Sequence, residues 1–434
     1  VITANADVVF KSKGRKETSA GLRFSYAIKD NTFDFGFKFD HASTVDLADQ
    51  VAALDWLRNF DAAVTGSLKA QISTSGALVD LSGFLETEEG KLLGIPQSKP
   101  VKFESGKAYF DYDKVTDTLD FSQISVNSGL GRVTAESKIS MSRNGSGVVN
   151  ALSGAVTVSK LEVHPSDIFA NPVVFDKGKV NLHLTLSPFA ISVENGILAV
   201  GPQNITVAGS SIAGEKYWDN AYFLKFNAIK RDNLLNYWPL SLKPKTRRWM
   251  EKNILGGVVK NGVGQLYSHN GKTSIDLKFD VEDGKVRYLK TLPVLEGAVG
   301  KGHLTEKTFD ITLSKGHVIA PNNGRVDVVG SVFSISDLTQ KPTIGDIVLK
   351  ATGGLRAGLS LLDEKPFEYL KKVNLKPTVA KGRVEVDAIL KVPLVKGTKV
   401  KDIKFNAKAT IKKLTDVLLI KGRDVIAEQM QLTA

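Results

Sequence analysis

The sequence predicts an all-β fold: an elongated antiparallel sheet, curled into a groove, with a few short helices at its edges. Three observations carry this. Apolar and polar residues alternate in segment after segment, which is the period of a strand with one covered face. Gly, Asn and Asp gather between those segments, where turns need them. Stretches long enough for a crossover helix are rare, which favours antiparallel neighbours.

Taken in order, Asn5 to Phe10, Gly21 to Lys29 and Phe33 to Phe39 read as strands, the last with four phenylalanines on one face. Ser43 can cap a helix running to about Arg58, with Leu47, Val51 and Leu54 on one side. Ala62 to Leu93 reads as three strands around the turns at Ser73–Gly76 and Glu88–Gly90. More strands fill Val101 to Met141, and a short helix is expected from Pro165 to Ala170. Val180, Leu182, Leu184 and Leu186 then share one strand face. The same period puts Ile275, Leu277, Phe279 and Val281 together. A short helix is expected over Pro366 to Lys372. The ending alternates most cleanly, with Val384 and Val386, then Ile403, Phe405, Ala407 and Ile411, on the apolar side. Segments 119–141, 190–213 and 309–335 share a loose strand–turn–strand phrase without a fixed period, as in an elongated array of hairpins.

One stretch, Asn236 to Asn261, breaks this pattern. Trp238-Pro239 reads as a fixed, extended lead-in. Pro244 suits the first turn of a helix, which should run to Leu255. Trp249 should anchor that helix on the sheet. Gly256-Gly257 should stop it, and Val258-Val259 should begin the next strand. The stretch also suggests a division into segments 1–235 and 236–434, continuous with one another.

The totals bound the function. The chain has 434 residues, 42% of them hydrophobic, enough for a folded protein of several ordinary domains. It has no cysteine, which excludes disulfides, thiolate metal sites and cysteine nucleophiles. No run of 18 apolar residues is present. The start, Val-Ile-Thr-Ala-Asn, reads as a piece cut from a longer chain. Net charge is +12, and residues 365–434 carry 16 Lys/Arg against 7 Asp/Glu. That basic end suits an anionic membrane surface, or simply solvated strand faces whose lysines discourage edge pairing.

Residues that could carry catalysis are few. No two of the six histidines lie within five residues, so the helical zinc pattern is missing. His183 sits on a polar strand face, and Asp276 and Asp280 alternate with apolar residues toward solvent. Gly129-Leu-Gly131 is followed by Thr134 where a dinucleotide fingerprint needs glycine. There is no phosphate loop and no Gly-x-Ser-x-Gly elbow. The expectation is a protein that is not an enzyme, with no catalytic residue, no metal and no cofactor. Nucleic acid is not expected as a partner, because lysines and aromatics fall on opposite strand faces.

The one-sided strands must cover their apolar face. Stacked sandwiches would do so with a second sheet. A curled groove filled by lipid chains would do so too, and it suits strands repeating past the size at which single cores stop growing. The residues leave both open.

The Asn236–Asn261 stretch, with its Trp238-Pro239 turn, helix ending in Trp249-x3-Asn253, Gly256-Gly257 and following strand, resembles the AsmA-like periplasmic proteins, in particular the YhdP branch. Supporting phrases are Tyr288 to Pro293, Ser334 to Leu338 and Lys381 to Pro393, and the resemblance runs from about Lys99 to the C-terminus. It implies the groove, lined by the apolar faces named above. The implied function is non-enzymatic phospholipid transport between inner and outer membranes, in support of outer-membrane integrity. A periplasmic location, with an inner-membrane anchor in segments missing from this chain, is implied as well, and so are possible membrane-protein partners. The alternative is a structural or protein-binding β-scaffold with a dry core.

Overall fold

The structure, a computed structural model, describes all residues except 11–17, 28–31, 51–56, 94–99, 146–148, 165–168, 187, 215, 239, 241–243, 396, 416–422 and 424. It is 68% strand and 9% helix, so helices cannot cover the sheet. Every strand pairing below is antiparallel. The chain divides into two units, residues 1–224 with 266–273, and residues 225–265 with 274–434.

The first unit opens with β1 (Ile2–Phe10), β2 (Thr18–Ala27) and β3 (Thr32–Ser43), followed by helix α1 (Thr44–Gln50). Next come β4 (Phe60–Ser73), β5 (Leu78–Thr87), β6 (Gly90–Leu92), β7 (Val101–Asp113) and β8 (Thr118–Ser128). β9 (Gly131–Arg143), β10 (Val149–Val163), β11 (Val173–Phe175), β12 (Lys177–Leu186), β13 (Phe189–Val200) and β14 (Gln203–Ala213) follow. Successive strands pair, with short β6 and β11 filling the ends of longer neighbours. β3 runs through Ser43, the expected cap, and α1 begins at Thr44, whose hydroxyl donates to the Phe60 carbonyl at 2.6 Å. The rest of that expected helix, 51–56, lies outside the described residues, as does most of the expected helix at 165–170.

Register puts the apolar residues in rows. One row crosses eleven strands: Ala6, Leu22, Phe37, Leu68, Gly83, Phe110, Phe121, Ser137, Val156, Val180 and Gly196 stand in turn opposite one another. In the middle of the unit this face is dry. Leu81, Phe110 and Leu119 are 1–2% exposed, and their cluster takes in Leu47 and Ala48 of α1. One short helix cannot cover so many strands, so the sheet itself curls over its apolar face. Gly83 makes the curl close: a Cβ there would meet the Phe110 ring and the Leu68 side chain, each at 2.6 Å.

The division between units falls within β15 (Trp218–Lys230), β16 (Ile254–His269) and β17 (Lys272–Val286). The second unit also holds α2 (Arg231–Leu234), α3 (Pro244–Asn253), β18 (Leu295–Thr305), β19 (Phe309–Ile319), β20 (Arg325–Asp327) and β21 (Val332–Ile335). β22 (Ile344–Gly354), α4 (Leu355–Leu362), α5 (Tyr369–Lys372), β23 (Lys381–Pro393), β24 (Lys404–Thr415) and β25 (Ala427–Thr433) complete it. From β17 to β25 the strands pair in chain order, with β20 and β21 sharing the place between β19 and β22. α4 was not expected from the sequence; it packs Leu355 onto Val384, Ile411 and Leu414. The expected helix at 366–372 is shorter, only α5.

Candidate functional site

The central motif is built differently from its sequence reading. α3 ends at Asn253, and Ile254 and Leu255 already belong to β16. Three groups terminate the helix. The Asn253 side chain donates to the Trp249 carbonyl at 2.8 Å, and the Arg287 N–H donates to the Asn253 carbonyl at 2.8 Å. Arg231, at the start of α2, donates to the carbonyls of Glu251 (2.6 Å) and Ile254 (2.7 Å). A cation on the last carbonyls satisfies orphan acceptors and meets the negative end of the helix dipole. Gly256 and Gly257 therefore do not stop the helix. They lie inside β16, where Gly257 takes φ +121°. A Cβ at Gly257 would come 2.9 Å from Gly284 Cα, so the glycine permits a close approach to β17. Trp249 is 47% exposed and is not a buried anchor; Trp238 is half-buried, and Pro239 lies outside the described residues.

The apolar residues of the second unit come together. Phe279, Gly302, Ile311, Phe333, Ile347, Leu390 and Phe405 stand opposite one another in sequence across seven strands. Leu277 pairs Leu304, and Ala407 pairs Ala388, on the same face. Unlike the core of the first unit, the side chains of this row are half-buried apart from the covered Gly302, and Phe405 is 48% exposed. Ile275 and Val281 are half-buried too, and Ile403 precedes β24 rather than lying in it. Val384, Val386 and Ile411 are placed otherwise, inside the small cluster under α4. In the first unit Val180, Leu182, Leu184 and Leu186 are half-buried on the apolar face of β12, with Leu186 against the dry core.

One residue along each strand, the opposite face is polar. Lys278, His303, Asp310, Ser334, Asp346, Lys391 and Lys404 form the row beside the apolar one. His303 Nε2 lies 3.1 Å from Asp276 Oδ2, and its Nδ1 lies 3.8 Å from Asp310. Asp280 is not free in solvent, since it accepts from the Asn261 amide at 2.8 Å. His183 is half-buried and shares a 2.6 Å hydrogen bond with Ser153 on the neighbouring strand. At the rim of the first unit's core, Asp117 accepts from Tyr112 (2.8 Å) and Arg143 (3.2 Å). Burial raises the Asp117 carboxyl, but those hydrogen bonds and the Arg143 charge outweigh it and hold the carboxyl below the usual carboxylate range.

No group of three or more His, Cys, Asp or Glu among the described residues could hold a metal ion, and no described helix is long and apolar enough to cross a membrane. What the second unit offers is physical: a half-buried aliphatic and aromatic strip on one face of a charged sheet. Sequence reasoning found its strands. It missed Arg231, whose role depends on carbonyls 20 and 23 residues away.

No curated protein and no solved structure matches the chain. A family model does: the model described as YhdP protein matches residues 114–424, which takes in most of the second unit and about half of the first. With that match over most of its length, the chain belongs to the YhdP family.

Proposed function

We propose that this protein carries phospholipid along the apolar face of its curled sheet, without chemistry on the lipid. The observation that carries this is the half-buried row from Phe279 to Phe405, an apolar strip seven strands wide that its own side chains leave partly uncovered. Acyl chains are flexible and apolar, so they can lie along such a strip at any register. Burying them there gains about 0.8 kcal/mol per methylene removed from water. The charged row beside it keeps headgroups at the edge. The family's connection with lipid transport supports the same direction. On this account Leu277, Phe279 and Ala407 touch lipid, and Val384, Val386 and Ile411, packed under α4, close one end of the strip. The full protein then works between the inner and outer membranes, in the periplasm, held to the inner membrane by segments outside this chain.

A second reading is favoured by the first unit. Its core between β2 and β10 is filled by its own side chains, as in an ordinary scaffold. That unit then acts as a scaffold, and its own half-buried apolar face lies on β12 to β14.

Mass spectrometry of gently extracted protein tests the proposal. Phospholipid should co-purify with the wild type, and Phe279→Asp with Leu390→Asp should lose it while keeping a cooperative melt. A lipid-free wild type would make the dry scaffold the better account.

A further inference from the structure

The turn joining β23 to β24 combines features that the lipid-carrying face does not use. Leu394 and Val395, at its head, are 43% and 52% exposed. Leu394 lies partly over Gly345 of β22, and the backbone that carries both residues is tied by hydrogen bonds. The Thr398 hydroxyl donates to the carbonyls of Pro393 (2.7 Å) and Val395 (3.0 Å), and the Leu394 N–H donates to the Thr343 carbonyl at 2.8 Å. The Asp402 carboxylate accepts the Lys399 N–H at 2.9 Å, closing the turn's other side. These hydrogen bonds fix the backbone at Pro393–Val395 and Thr398–Asp402, so the exposure of the two aliphatic side chains is not a by-product of disorder there.

The same turn and the strand ends that flank it carry four exposed lysines. Lys391 and Lys404 stand directly opposite each other across β23 and β24, a like-charge pair that, among the described residues, an anion meets only on the Lys391 side. Lys399 and Lys401 are exposed on the turn itself. Asp346 lies 3.5 Å from Lys391. Lys399, Lys401 and Lys404 have no ion pair among the described residues, and the nearby Asp402 is occupied by backbone. Phe405, 48% exposed, lies next to Lys404 on the other face.

We infer that this turn is a membrane-docking tip, seating Leu394 and Val395 in the headgroup region of an anionic bilayer while Lys391, Lys399, Lys401 and Lys404 meet its phosphates. An aqueous anion such as nucleic acid would use the lysines and leave the aliphatic pair in water. A bilayer surface uses both, and only it explains why they occur together. The inference does not depend on the sheet carrying lipid.

Co-sedimentation of the full chain with phosphatidylcholine vesicles, with and without phosphatidylglycerol, tests it. The wild type should bind the phosphatidylglycerol vesicles and release them as salt rises. Each lysine near the surface is worth about fivefold in affinity, so K399Q/K401Q/K404Q should lose on the order of a hundredfold, and the matching Lys→Arg variant should keep binding. L394S/V395S should lose about tenfold or more, and V395W fluorescence should be quenched by brominated lipid. All these residues are exposed, and melting temperatures would identify any variant that misfolds. No binding by the wild type would overturn the inference. So would loss in the lysine variant alone with V395W unquenched, or binding of duplex DNA in place of vesicles.

Discussion

The ring of Phe279 in β17 lies across Gly302 in β18, its direct cross-strand partner, in the space a side chain at Gly302 would occupy. The glycine lets an aromatic ring lie flat on the sheet in the middle of the apolar row. The same device recurs where Phe110 covers Gly83 in the first unit and Phe226 covers Gly262 in the second.

Gly302→Val should therefore push the Phe279 ring off the sheet and destabilise the second unit by about 1–3 kcal/mol. In a Phe279→Leu background the penalty should shrink, since the two residues share one space. Chemical denaturation of the four proteins in that cycle measures the coupling, and additive effects would show that the ring and the glycine act independently.

Arg231→Ala should cost more than Trp249→Ala. The arginine leaves two carbonyls of the helix end without their donor, worth about 1.5–3 kcal/mol for hydrogen bonds to a charged group. Trp249 is 47% exposed, so its truncation should cost about 1 kcal/mol, near the typical value for a single substitution. Urea midpoints of the two variants decide the order. Gly257→Val should also destabilise, because φ +121° and the nearby Gly284 backbone leave a side chain neither conformation nor room.

Asp117 should give the first unit an acid-sensitive contribution. Its carboxyl titrates lower folded than unfolded. Its stabilisation is thus complete above the unfolded value of about 4, and is lost as pH falls through the folded one. Asp117→Asn should destabilise more at neutral pH than at about pH 3, below the unfolded value. Denaturation curves at both pH values check this, and an equal deficit at both would assign the effect to packing.

The fold was legible wherever one face of a strand is covered. The alternation of Ile275 to Val281 and of Val384 to Ala388 placed β17 and β23, because a period of two has no other common cause. Residues without such a period misled. Trp249 looked like an anchor because large aromatics are usually covered, yet no neighbour covers it fully. The end of α3 was misplaced because Arg231 and Arg287 set it from distant positions, which local propensity does not record. Asn261 and Asp283 take positive φ inside strands, where sequence gives glycine as the usual mark of a bulge. Alternation also could not separate the dry core around Leu119 from the half-buried strip around Leu390, since both read as apolar on every second residue.

Leu390 and Ile389 offer the most direct test of the lipid-carrying face. They are adjacent, both aliphatic, and on opposite faces of β23, and Ile389, 57% exposed, is the more accessible. A photo-crosslinking residue placed at each position, followed by lipid extraction and mass spectrometry, compares the two faces within one strand. Phospholipid attached at 390 and not at 389 is the expected result. Labelling that follows exposure, stronger at 389, or no labelling at either position, would contradict the claim that the apolar row holds lipid.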